Sequence, residues 1–179
     1  MKLSTQIILI SVLIFLLFGT LYLKDLLRQN VELKIDDIEM ENIGFSVANE
    51  CVKEYYNQRQ SSIKQYIYCN YTVNSLSDTW IFLEIKKFQN KNDLYNAYEY
   101  DSQHLFAADG IISENTYGDK SRFRINSKND YGAEFVDPNI SYYHLWICKN
   151  NYLIHITSKG SKQANEYIER MADLILSKF

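Results

Sequence analysis

Apolar positions along this chain change their spacing from one region to the next. From Ile7 to Leu23 they form a run without charge, IILISVLIFLLFGTLYL, which spans roughly 25 Å as a helix at 1.5 Å per residue. From Gly44 they alternate with polar residues, the period of strands with one covered face, and in two later stretches they recur at helical spacing. Strands are predicted at Cys51–Tyr56 and Ile63–Val73, joined as a hairpin across Asn57–Ser62, and at Trp80–Phe88, where Ile81, Leu83 and Ile85 face one way and Phe82, Glu84 and Lys86 the other. A helix is predicted over Asp93–Ala108, with Asn92 as its cap and Gly110 ending the run. Short strands follow at Ile111–Glu114, Ser121–Ile125 and Ala133–Val136, separated by the turns Gly118-Asp119 and Asn129–Gly132.

The clearest local pattern is Tyr142–Ser158, two strand-like runs meeting at Asn150-Asn151, where asparagine tolerates the positive φ of a tight turn. Pairing Lys149 with Tyr152 puts Leu145, Ile147, Ile154 and Ile156 on a core face, and His144, Trp146, Cys148, Leu153 and His155 on the other. A last helix over Ser161–Ser177, capped by Ser161, carries the stripe Ala164, Tyr167, Ile168, Met171, Ala172, Leu174 and Ile175. The expected fold class is α+β: a single N-terminal transmembrane helix followed by an antiparallel sheet packed by two helices on one face. Residues 1–24 are read as the anchor, 25–43 as a charged stalk and 44–179 as one extracytoplasmic domain.

The apolar run also fits a cleaved signal peptide, with Lys2 as its basic flank. Cleavage after Gly19 or Thr20 would however put Leu17 or Phe18 where a small residue is wanted, so an uncleaved anchor is the expectation. Lys24 and Arg28 nearly balance the positive charge of the amino-terminal flank. An outside C-terminal domain is chosen on other grounds: a short N-terminal tail, the sequons at Asn70 and Asn139, and a disulfide-compatible cysteine spacing. The chain is then a single-pass membrane protein, or secreted if the segment is cleaved.

Composition changes this picture little. Among 179 residues, 46% are hydrophobic and 15% aromatic, enough to build a core; a net charge of -3 without a basic cluster excludes nucleic acid as a partner. Gly-rich phosphate loops, Gly-x-Ser-x-Gly elbows and Cys-x-x-Cys or His-Glu-x-x-His metal spacings are missing from the sequence, so no cofactor and no metal is expected. Cys51 and Cys69 lie symmetrically about the first hairpin and are expected to form a disulfide. Cys148 with His155 and His144 is the one set that can be drawn as a catalytic or metal site. Membrane-anchored sortases are similar in outline, with a strand cysteine, a histidine and an arginine, but Leu145-Trp146-Ile147-Cys148 departs from their Thr-Leu-x-Thr-Cys motif. The competing account packs Trp146, Cys148 and Leu153 under a second layer with the histidines at its edge, as suits a free cysteine acting as a small hydrophobe.

The order of pieces from Ile81 to Phe179 resembles small extracytoplasmic domains of the PsbP-like and lipoprotein type. These pieces are Ile81–Phe88, Asp93–Ala108, Gly118-Asp119-Lys120-Ser121, Tyr142–Ser158 and Ser177-Lys178-Phe179. That resemblance implies a non-enzymatic docking, assembly or sensing module. The leading expectation is therefore a binding or accessory domain, taking a protein or small molecule outside the cell through Tyr66, Tyr68, Tyr142 and Trp146. A cysteine-dependent enzyme built on Cys148 and His155, and a small single-pass subunit of a membrane complex, are the alternatives.

Overall fold

The computed structural model describes residues 15–16, 18–20, 33, 38–56, 62–103, 110–126, 137 and 139–179. Two compact units divide the chain, Met1–Leu33 with Phe179, and Lys34–Lys178. In the second, strands β1 (Phe45–Tyr55), β2 (Ile63–Val73), β3 (Trp80–Phe88), β4 (Ile111–Glu114), β5 (Lys120–Ile125), β6 (Ser141–Lys149) and β7 (Tyr152–Gly160) form one antiparallel sheet in the order β1-β2-β3-β7-β6-β5-β4. Helix α1 spans Lys91–Gln103 and helix α2 spans Ala164–Leu176, while a turn of 3-10 helix, Met40–Ile43, precedes β1.

This corrects the expected fold class. Strand dominates the described residues, and the two longer helices take opposite faces instead of sharing one. Along β6, Leu145 and Ile147 face α2, and the Tyr143 hydroxyl on that same face donates to the Lys162 carbonyl at the approach to α2 (3.0 Å). Trp146 and Cys148 point the other way and pack with Leu153 and Phe88 against Leu94 and Tyr98 of α1. The turn end of the hairpin is apolar on both sides, and there each side needs a cover. The expected transmembrane helix, Ile7 to Leu23, lies largely outside the described residues; among those described, no helix is long and apolar enough to cross a membrane. The expected strand Ala133–Val136 is also outside them.

The α2 face is the main core. Ile67, Ile85, Ile154 and Ile147 stand in register across β2, β3, β7 and β6, and the next row runs Cys69, Leu83, Ile156, Leu145 and Phe123. All are buried, and each isoleucine, leucine and phenylalanine among them is worth about 1.5–3 kcal/mol relative to exposure. Ile168, Met171, Ala172 and Ile175 close this layer, and Tyr167 sets its ring edge against Phe45 with centroids 5.8 Å apart. Helix α2 starts at Ala164, three residues later than expected, because Ser161 accepts from the Gln163 amide within the turn ahead of it. Helix α1 starts earlier: Asn90, not Asn92, caps it, accepting from the Asp93 amide at 2.9 Å while its own amide donates back to the Asp93 carboxylate.

In the β6–β7 turn Lys149 pairs with Tyr152, as expected, and Asn150 takes a φ of 53°. The Gly118-Asp119 turn locks onto it. Asp119 accepts from the Asn150 amide (2.9 Å) and from Lys149 Nζ (3.2 Å), and its own amide donates to the Cys148 carbonyl (2.7 Å). At Gly118, φ is 62° and a Cβ would meet that carbonyl at 2.5 Å, so only glycine fits.

Cys51 and Cys69 form a disulfide with Cα atoms 4.5 Å apart. The β1–β2 register of Val52 with Tyr68 brings them opposite each other, and a bulge between Asn49 and Val52 sets Glu50 and Cys51 against the single residue Cys69. With the cysteines 18 positions apart along the chain, the bridge restricts the unfolded state enough to stabilise the fold by about 3 kcal/mol. Replacing both cysteines with alanine should lower the unfolding free energy by about that amount in urea titrations, and reductant should reproduce most of the loss in the unaltered protein. An unchanged midpoint in both cases would mean that the bridge adds nothing.

Candidate functional site

Helix α1 covers only part of its face of the sheet. The remainder is read in register from β2 to β6: Tyr66, Lys86, Leu153 and Cys148 in one row; Tyr68, Glu84, His155 and Trp146 in the next; then Asn70, Phe82, Thr157 and His144; then Thr72, Trp80, Lys159 and Tyr142. The first row runs under α1 at its Leu153–Cys148 end. Across the second and third rows lies a trough of two adjoining hollows of about 300 Å³ each. One is lined by Tyr68, Phe82 and Thr157, the other by Lys86, Tyr100, Asp101, His144 and Trp146, and Glu84 and His155 belong to both.

The floor combines parallel aromatic rings with a connected set of polar groups. Trp146 stacks on His155 with centroids 4.6 Å apart, His144 stacks on His155 at 5.4 Å, and Tyr68 lies nearly parallel to Phe82 at 6.5 Å. Asp101 pairs with Lys86 (3.5 Å), Lys86 with Glu84 (3.0 Å), and Glu84 faces His155 Nδ1 at 3.8 Å. His155 Nε2 in turn lies 3.0 Å from Thr157 Oγ1 and 3.2 Å from His144 Nδ1. A carboxylate opposite Nδ1 assigns the proton of neutral His155 to that atom. Its Nε2 then accepts from His144 Nδ1–H, which leaves His144 Nε2 as an acceptor. That atom is sealed from solvent and has no partner among the described residues, and the same holds for the donor Trp146 Nε1.

Burial works against charge on Glu84, but His155 and the Lys86 ammonium more than offset it and hold the carboxyl down to about 2. Burial, reinforced by the nearby His155 and Arg124, pushes His144 down to about 3, so this imidazole is neutral at ordinary pH. Burial and the Glu84 carboxylate that its hydroxyl meets push Tyr66 up to about 12.

The residues singled out in the sequence are only partly brought together. Tyr66, Tyr68, Tyr142 and Trp146 share this face, but Tyr66 and Tyr142 line neither hollow, and Trp146 is buried at the base of one. Cys148 sits two residues along β6 from Trp146, opposite Leu153, fully buried beneath α1, where burial pushes its thiol up to about 12. A thiol so placed is not a nucleophile at neutral pH. Among the described residues no three His, Cys, Asp or Glu side chains converge as metal ligands. Of the two sequon asparagines, Asn139 is exposed and donates to Asp137, whereas Asn70 lies within β2 with its Oδ1 buried. Glu84, Lys86, Phe82 and Thr157, which define the trough, were not among the candidates. For Phe82, Glu84 and Lys86 the signal was present in the outward face of the Trp80–Phe88 alternation, which acquires meaning only once β3 is known to pair with β7.

No family model and no curated protein matches the sequence. Among solved structures, the extracellular domain of PknH from Mycobacterium tuberculosis is similar over 80% of this chain and 92% of its own length, at 8% identity and a TM-score of 0.45.

The neutral His144 links stability to pH. Its folded value of about 3 lies below the ordinary 6.5, so the unfolded chain takes up the proton first; stability is complete above pH 6.5 and falls as pH drops from there towards 3. The slope this one residue adds approaches about 1.4 kcal/mol per pH unit. Urea titrations at pH 7, 6 and 5 should show a decline in unfolding free energy that is clearly shallower in His144→Gln. Equal slopes would place the imidazole's charge change elsewhere.

Proposed function

We propose that the Lys34–Lys178 unit is a non-enzymatic binding domain that works outside the cytoplasm and takes its ligand in the trough between β2 and β6. The observation that carries this reading is the trough itself: the partly exposed rings of Tyr68 and Phe82 and a connected run of polar side chains, beside the patch of sheet that the described part of α1 covers. Such a combination of apolar lining with a few convergent polar groups is the usual make-up of a ligand site. The Cys51–Cys69 disulfide supports the location, because such bridges persist in oxidising compartments. A thiol enzyme needs an exposed, ionised sulfur, and the buried Cys148 lends that alternative no support.

A fragment screen by two-dimensional NMR on the full chain tests the reading. Binding fragments should shift the resonances of Phe82, Glu84, His155 and Thr157 together, without being chemically altered; hits scattered over the surface, or turnover of a fragment, would count against it. In cells producing the chain, Cys51 and Cys69 should resist alkylation until reductant is added. Alkylation of both without reductant would overturn the location.

A further inference from the structure

The trough restricts the chemistry of what it can hold, and this deepens the binding-domain reading on which it rests. Each ion in the wall already has an opposite partner: Glu84 with Lys86, and Lys86 with Asp101. A charged ligand would have to displace one of these pairs and leave the other ion exposed to an unbalanced field. The apolar contribution comes from accessible rings in both hollows, Tyr68 and Phe82 in one and Tyr100 in the other, so the ligand needs broad surfaces free of polar atoms.

Hydrogen-bonding demand is mixed within a few ångströms. Thr157 offers a hydroxyl that donates or accepts, Glu84 carboxylate oxygens that accept, and Lys86 an ammonium that donates. A group that both donates and accepts suits such a wall better than one restricted to either role. The two hollows share Glu84 and His155, so a ligand of two linked units could occupy both without a break.

We propose that the trough binds a neutral polyhydroxylated ligand, at least two linked sugar rings of a glycan. The apolar faces of the rings lie on Phe82 and Tyr68 in one hollow and on Tyr100 at the rim of the other, and their hydroxyls bond to Thr157 and Glu84.

The full-length chain is titrated by NMR with maltotriose, cellotriose and the N-acetylglucosamine trimer, and separately with choline, inorganic phosphate and N-acetyl-Ala-Ala-amide. The expected result is saturable binding of at least one trisaccharide, with shifts at Phe82, Glu84 and Thr157. Phe82→Ala should weaken it about tenfold. Thr157→Ala should weaken it to a smaller extent and serves as the second variant if Phe82→Ala fails to fold, while Glu50→Gln on the edge strand should leave it unchanged. If choline, phosphate or the peptide binds the trough and no trisaccharide does, the glycan assignment is overturned and the binding-domain reading stands. If no probe binds there and the fragment screen also leaves Phe82, Glu84 and Thr157 unmoved, both are overturned.

Discussion

The register of the β6–β7 hairpin is the constraint on which the rest of the domain depends. Its strands occupy the centre of the sheet, and their two faces have different tasks: Leu145, Ile147, Ile154 and Ile156 fill the main core, while His144, Trp146, Leu153 and His155 make the second layer and the trough. A slip of one residue would exchange the two sets and place imidazoles among isoleucines. That slip is prevented from two sides. Asn150 adopts the left-handed conformation of a two-residue turn, and Asp119, delivered by the Gly118 turn, bonds the Asn150 amide and Lys149 from the neighbouring hairpin. One carboxylate therefore ties the β5 side of the sheet to the turn that sets the register of its centre.

The unequal covering of the two faces follows from the helices. The stripe on α2 closes its layer with Ala164, Ile168, Met171, Ala172 and Ile175. The apolar contribution of α1 is narrow, with Leu94 and Tyr98 fully buried, and its polar side chains finish the packing at its margin: Glu99 pairs with Lys120, Ser102 accepts from Arg122, and Asp101 reaches Lys86. What this short contact leaves uncovered is the aromatic and polar trough. Covering it would bury Glu84 and Lys86 further, and removing two paired ions from water is repaid only by near-ideal geometry.

Much of this was legible in the sequence where a local rule governs. The alternation of Trp80–Phe88, the Asn-Asn turn, the pairing of Cys51 with Cys69 and the stripe on the last helix are each decided by residues close together in the chain, and each stands where it was expected. The errors arise where distant elements meet. Nothing in Asp93–Gln103 tells which side of the sheet it will choose, so both helices were placed on one face; the choice follows from Trp146, Cys148 and Leu153, which need a cover of their own. The trough was missed for the same reason. Glu84 and His155 are far apart in sequence, and only the β3–β7 pairing, a crossover in strand order, makes them neighbours.

The position of α1 accounts for the difference in character between Cys148 and His155, which the sequence invited one to read as a pair. They lie on one face, but Cys148 is at the turn end of β6, where α1 lies over it, and His155 is nearer the middle of β7, beyond the edge of the helix. Two residues along a strand separate a sulfur in an apolar layer from an imidazole in contact with ions and hydroxyls. The environment then diverges: burial drives the thiol towards its neutral form, while His155 and Lys86 keep Glu84 ionised although it is largely withdrawn from water. The polarity of this face increases with distance from α1, so the chemistry available to a ligand is set by the reach of that helix.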